Sequence, residues 1–170
     1  MISTFARGLQ AKARLFAAKA RTRRNPSPTG KHHNLPAELV VSLTSYPPRF
    51  PTLARTLRSL LSQSIQPDRV VLWIAHQELA ALPQEVRSLV PFGLEIRGCD
   101  HLRSFSKIIH SLEAWPDAYI VTADDDLYYE PQWLQTLVSG VVPGDNVIVC
   151  RRAHRPDFTR PYREWQFGVI

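Results

Sequence analysis

Apolar positions along this chain fall into two alternating rhythms. Residues 39–43, 69–75, 94–97, 119–123 and 146–150 are short runs rich in Val, Ile and Leu, and each predicts a β-strand. The run at 69–75 is nearly continuous, the pattern of a strand covered on both faces. Between the runs the spacing turns helical. Leu53, Leu57, Leu60 and Leu61 mark one face of a helix that Pro51 and Thr52 can open, with Arg55 and Arg58 off that face. Residues 83–90 predict a short helix, and residues 104–114 a longer one with Phe105, Ile108, Ile109 and Leu112 turned inward. Trp115, Pro116 and Asp117 stop that helix, and Pro131 starts another carrying Trp133, Leu134, Leu137 and Val138. This alternation predicts an α/β fold: a mostly parallel sheet with helices on both faces.

Upstream the pattern differs. In residues 2–24, Ile2, Phe5, Leu9, Ala13, Phe16 and Ala20 fall near helical spacing, and residues 25–30 then break the helix with two prolines and a glycine. The expected organisation is a basic N-terminal arm and linker at 1–36, then one domain at 37–170. Charge sharpens that division. Residues 1–36 hold eight Lys/Arg and no Asp or Glu, which leaves 13 basic against 15 acidic residues in the remainder. The net charge of +6 therefore belongs to the arm, and the domain is not a basic nucleic-acid-binding surface. The arm suits a helix on an anionic membrane surface, a disordered basic tail and a mitochondrial-type presequence alike. The first of these would place the protein peripherally at the cytoplasmic face of a membrane through residues 2–24. No apolar run reaches the length of a membrane span, and Arg7, Lys12 and Arg14 interrupt any secretory apolar core. Cys99 and Cys150 form neither a disulfide framework nor a CxxC pair, which predicts reduced thiols in a cytoplasmic setting.

The chemistry concentrates at the ends of the expected strands. Asp124-Asp125-Asp126 follows the run 119–123 directly. Three adjacent carboxylates repel one another and call for a cation. If the backbone stays extended, Asp124 and Asp126 project to one side and Asp125 to the other. These are hard oxygen ligands of the kind Mg²⁺ and Mn²⁺ take, and strand ends are where ligands gather in open α/β sheets. A solvated acidic turn is the bland reading, disfavoured by the apolar run before the triplet and by Leu127, Tyr128 and Tyr129 after it.

After the first strand, Thr44 and Ser45 offer hydroxyls, Tyr46 a stacking ring, and Arg49 a fork for phosphate, beside Pro47 and Pro48. After the third, Asp100 could accept from a ribose or base, while Arg103 and Lys107 stand where a helix N-terminus could face a diphosphate. Each loop taken alone also reads as a polar turn; convergence of all three on one sheet edge favours a site. His154, after the fifth strand, is either a metal ligand or a structural histidine. There is no GxGxxG or Walker lysine motif. Two other acidic-motif folds are disfavoured, because a haloacid-dehalogenase-type phosphatase and a response-regulator receiver both place their acidic residues after the first strand.

With these residues placed, the chain resembles bacterial glycosyltransferases of the GT-A fold, nearest to a group of polysaccharide and lipopolysaccharide sugar transferases. The resemblance rests on residues 42–49, 120–129, 152–155 and 161–165, with Pro67-Asp68 and Leu72-Trp73 between them. It implies a Rossmann-like sheet, and a DxD motif whose Asp124 and Asp126 hold Mn²⁺ or Mg²⁺ against a nucleotide-sugar diphosphate. It also implies a nucleotide pocket of Thr44, Ser45, Tyr46, Arg49 and Asp125, with Asp100, Arg103 and Lys107 beside it. Sugar would pass to a glycan or lipid-linked acceptor. Family members carry acceptor-binding residues, and inverting members a base, well beyond the DxD. Here Glu130, Asp145, Asp157 and Glu164 are the only later carboxylates, and none is assigned as a base. A domain truncated at its C-terminus is therefore expected, with a non-catalytic, membrane-associated nucleotide-binding remnant as the alternative.

Overall fold

Four β-branched and leucine-rich segments pair into one parallel sheet: β1 (Leu39–Thr44), β2 (Arg69–Ala75), β3 (Leu94–Cys99) and β4 (Tyr119–Thr122). The computed structural model describes residues 22, 24–27, 30–145, 147–151, 154–155 and 157–167, with backbone alone at 154, 155, 166 and 167. The strand order is β3-β2-β1-β4, every neighbour parallel, so the chain steps one way from β1 to β3 and then returns to the far side of β1. The direction of winding thus reverses between β1 and β4. In open α/β sheets that switch point opens a crevice at the carboxyl ends of the two strands.

Period-two alternation divides the core. Leu39, Val41, Leu43, Val70, Leu72 and Ile74 face α1 (Phe50–Leu60), whose Leu53, Leu57 and Leu60 are fully buried. Val86 of α2 (Gln84–Arg87) and Leu134 of α4 (Trp133–Val138) close the same layer. Val40, Val71, Trp73 and Cys99 face the other way, toward Trp115, Ala118 and Ile120, on the side where α3 (Ser106–Ala114) packs. The α/β fold with a parallel sheet and helices on both faces is as expected, and Cys99 and Cys150 are free thiols.

Three expectations are corrected. Residues 147–150 form no strand, and Ile148 is 95% exposed. A short apolar run becomes a strand only where a ladder partner meets it, and Val149 instead lies beside Gly140, just past the end of α4. Secondly, α3 is turned from the predicted orientation. Phe105, Ile109 and Leu112 face solvent, whereas Ser106 and Ser111 are buried. The reason is polar: the buried Trp73 indole N–H donates to Ser111 Oγ at 2.9 Å, Ser111 Oγ donates to Ser42 Oγ at 2.8 Å, and Ser42 donates to the Lys107 carbonyl at 2.6 Å. Satisfying these interior groups outweighs burying three more apolar side chains. Thirdly, His33, in the stretch expected to be linker, has a side chain only 7% exposed and bonds Asp68 at 2.7 Å.

The chain just before β1 is tied down more broadly. Thr22 and Pro26 are buried, Arg58 donates to the Thr22 carbonyl at 3.2 Å, and Lys31–His32 pairs in parallel with Ile65–Gln66. Gly30 sits so near the Gln63 carbonyl that a Cβ there would lie 2.6 Å away. The helix expected over residues 2–24 lies almost wholly outside the described residues. No helix among the described residues is long and apolar enough to cross a membrane.

Asp68 gives this junction a pH signature. Burial alone would push its carboxyl up, but the Leu39 amide and the His33 imidazole bond it and together hold it below its ordinary value of 3.8. A depressed carboxylate contributes stability above its unfolded value and loses it as pH falls through the folded one. Wild type is therefore expected to exceed Asp68→Asn in stability at neutral pH, with the gap closing as pH drops below about 3.8. Urea unfolding at stepped pH measures this, and a gap independent of pH would remove the carboxylate from the account.

Candidate functional site

The crevice predicted by the topology is present. A cavity of about 310 Å³ opens at the carboxyl ends of the strands, lined by residues that follow β1, β3 and β4. Thr44, Ser45 and Tyr46 form one wall, Arg103 and Lys107 another, and Asp124 and Asp125 the floor. Seven of the nucleotide-site residues named from sequence thus meet in one place. Arg49 and Asp126 lie outside the lining and pair with each other. Asp100 is solvent-exposed and is not in the wall; its carbonyl accepts from His110 at 3.1 Å. The His154 backbone pairs with Phe167, and its side chain lies outside the described residues.

The acidic triplet is not arranged as an extended strand. β4 stops at Thr122 and residues 125–126 turn, so strict alternation does not reach the aspartates. Each carboxylate instead finds its own partner. Asp124 Oδ1 lies 2.6 Å from Lys107 Nζ, Asp126 Oδ2 lies 2.8 Å from Arg49, and Asp125 Oδ2 accepts from Ser45 Oγ at 2.6 Å. Lys107 also donates to the Ala123 carbonyl at 3.2 Å, and its side chain is only 18% exposed. Tyr46 and then Asp126, both beside the Arg49 guanidinium, raise its pKa further, so it stays charged.

A buried polar stripe on α1 fixes the loop that carries the triplet. Thr56 Oγ1 donates to the Asp125 carbonyl at 3.0 Å, and Ser59 Oγ accepts the Tyr129 amide at 3.1 Å. Just beyond the helix, Gln63 donates to the Glu130 carbonyl at 3.1 Å and accepts the Leu134 amide at 3.0 Å. Tyr129 folds back over the triplet: its hydroxyl accepts the Asp124 amide at 2.6 Å while its ring packs on Trp133 at 4.3 Å. Burial pushes the Tyr129 hydroxyl up to about 12, with the neighbouring aspartates adding to the rise, so it stays protonated as a structural donor and acceptor.

Sequence reasoning missed Ala75, His101, Ser104 and Ser106, which also line the cavity. It also missed the stripe of residues 56, 59 and 63, whose i, i+3, i+7 spacing beside the leucine face was its readable signal. Arg103 carries a further mark, because its φ of 55° lies in the left-handed region that side chains other than glycine and asparagine seldom adopt. That kink turns the chain from β3 into α3 and sets Arg103 and Ser104 on the cavity wall.

Hard carboxylate oxygens at a strand end suit a divalent cation. Among the described residues no three His, Cys, Asp or Glu side chains converge into a cage. An ion held by one or two aspartates and completed by phosphate oxygens, as Mg²⁺ sites commonly are, needs no such cage.

Comparison with known proteins identifies a family. The family model described as Glycosyl transferase family 2 matches residues 48–168, a span that takes in α1, β2 to β4 and the acidic triplet. No curated protein and no solved structure matches the chain.

Proposed function

Because the chain belongs to glycosyl transferase family 2, and its work is accordingly glycosyl transfer, we propose that the cavity between β1 and β4 binds a nucleotide-sugar donor. The carrying observation is the convergence of Thr44, Ser45, Tyr46, Arg103, Lys107, Asp124 and Asp125 on that one cavity at the sheet's switch point. Tyr46, 45% exposed, is free to stack on a base or ribose, with the Thr44 and Ser45 hydroxyls beside it. Arg49, Arg103 and Lys107 are the cations for the diphosphate. As the bond from the anomeric carbon to the diphosphate oxygen breaks, those cations stabilise the charge gathering on the leaving group, and an acceptor hydroxyl oxygen forms the new bond to the same carbon while its proton passes to the departing diphosphate or to solvent. Mn²⁺ or Mg²⁺ held by Asp124 and Asp126 would supply Lewis-acid neutralisation of that leaving group.

The natural acceptor in this reading is a bacterial glycan or lipid-linked sugar, and the catalytic unit is residues 37–170 with the basic arm as a membrane-surface contact at the cytoplasmic face. Calorimetry of the full chain with UDP and GDP, with and without Mn²⁺, tests donor binding. The expected result is affinity for one nucleotide that rises with the metal, accompanied by slow hydrolysis of the matching nucleotide-sugar. Binding with no turnover on any donor would favour the remnant instead. Failure to bind either nucleotide, with or without metal, overturns the donor site.

A further inference from the structure

Two of the three carboxylates in the acidic triplet are already neutralised from within. Lys107 holds Asp124 at 2.6 Å and Arg49 holds Asp126 at 2.8 Å, so both carboxylates assigned to the metal are engaged by cations assigned to phosphate. A divalent ion arriving alone must push both cations aside and then sit beside them, against their Coulomb repulsion. A nucleoside diphosphate arriving with the ion changes that balance, because its oxygens give both displaced cations a new partner.

On the donor-site reading above, we infer that Arg49 and Lys107 are exchange residues: they keep the metal off the triplet until a diphosphate takes them over. Metal and nucleotide then bind as a coupled pair, each raising the affinity of the other by the same factor. The pairs differ in character. Lys107 is largely enclosed and tethered to the Ala123 carbonyl, whereas the Arg49 side chain is 43% exposed, at the end of the short helical turn Pro47–Arg49. Arg49 therefore exchanges first, and Lys107 completes the closure over the phosphate. Ser45 has a separate part. It binds Asp125 and carries no charge, so it holds the middle aspartate in place while its neighbours change partners.

The test reads free Mn²⁺ by electron paramagnetic resonance in wild type, R49Q, K107Q and R103Q, each with manganese alone and then with UDP. Removing an exchange cation should have opposite effects in the two arms. R49Q and K107Q are expected to bind manganese alone roughly threefold to tenfold more tightly than wild type. Both should bind UDP with manganese roughly tenfold more weakly, having lost a charge-assisted phosphate contact. R103Q removes the same charge from the cavity wall without breaking a pair to the triplet, and should leave manganese-alone affinity near wild type. Equal tightening in R103Q would mean general charge rather than exchange and would overturn the inference. So would unchanged or weaker manganese binding in R49Q and K107Q while UDP still binds wild type. Absence of UDP binding in wild type would overturn the donor site, and the exchange with it. Thermal unfolding of the same samples confirms that each variant is folded.

Discussion

Asp124→Ala and Asp126→Ala are each expected to cut metal-dependent donor turnover by roughly a hundredfold to a thousandfold, the scale seen when one stabiliser of developing charge is removed. Both carboxylates sit at the carboxyl end of β4; the Arg49–Asp126 pair is exposed on both sides, whereas Asp124 is exposed and its partner Lys107 is largely enclosed but also bonded to the Ala123 carbonyl. Losing the exposed Asp126 pair should leave the thermal transition close to wild type, so a fall in turnover there would report on the site. The two arms of the measurement move differently. In Asp126→Ala the metal-dependent part of nucleotide affinity should vanish, while the metal-free part holds or rises because Arg49 is released to phosphate. Asp125→Ala, which breaks only the bond from Ser45, should cost much less. Donor hydrolysis against Mn²⁺ concentration, paired with nucleotide calorimetry, separates these cases. Full manganese dependence retained in Asp126→Ala would remove that residue from the metal site.

The site was legible in the sequence to the extent that it depends on strand ends. Apolar runs locate β1, β3 and β4, and the polar residues after each run lie at the same edge of any parallel sheet. That logic reaches Thr44, Arg103 and Asp124 without knowledge of the strand order. It fails for Asp100, which stays exposed outside the lining although His101 beside it and Arg103 beyond it line the cavity. It also fails for the direction of the aspartates. Alternation applies only while the backbone is extended, and here the turn begins one residue after Asp124.

The larger differences share one physical cause: partners distant in sequence do not show in a local apolar pattern. The outward face of α3 follows from the need of Trp73 and Ser42 for Ser111, which no count of leucines reveals. The stretch at 147–150 has strand composition but no backbone partner. The segment around His33 looked like linker because of its prolines and polarity, yet Asp68 and Ile65–Gln66 supply it with partners 30 or more residues away in sequence. Each is a case in which tertiary partners, absent from any local window, decide the outcome.

Gln63→Leu should therefore be among the most damaging conservative-volume changes in the chain, lowering stability by about 2–4 kcal/mol. Gln63 is 5% exposed and stands where three segments meet. Its amide donates to the Ser59 and Glu130 carbonyls at 2.8 and 3.1 Å, and its oxygen accepts the Leu134 amide at 3.0 Å. Next to it, Ser64 accepts from the Lys31 amide and donates its own amide to Pro131. Leucine fills a similar volume but leaves the Leu134 amide without a partner in the interior, and a buried orphan of this kind costs about 1–3 kcal/mol by itself. The Glu130 carbonyl is less exposed to loss, because it also accepts from the Trp133 amide at 2.9 Å. Damage should therefore spread toward α4 and, through Tyr129, back to Asp124. Urea unfolding should show a lower midpoint at unchanged slope, and the amides of Tyr129 and Leu134 should exchange faster with solvent than those of β2. Gln63→Glu separates the roles, since its carboxylate keeps the acceptor for Leu134 but loses the donor and buries a charge. That variant should be impaired at neutral pH and recover part of its stability in acid, once protonation restores a donor. Wild-type stability and exchange in Gln63→Leu would show that the acidic loop is held by Thr56, Ser59 and Tyr129 without the glutamine.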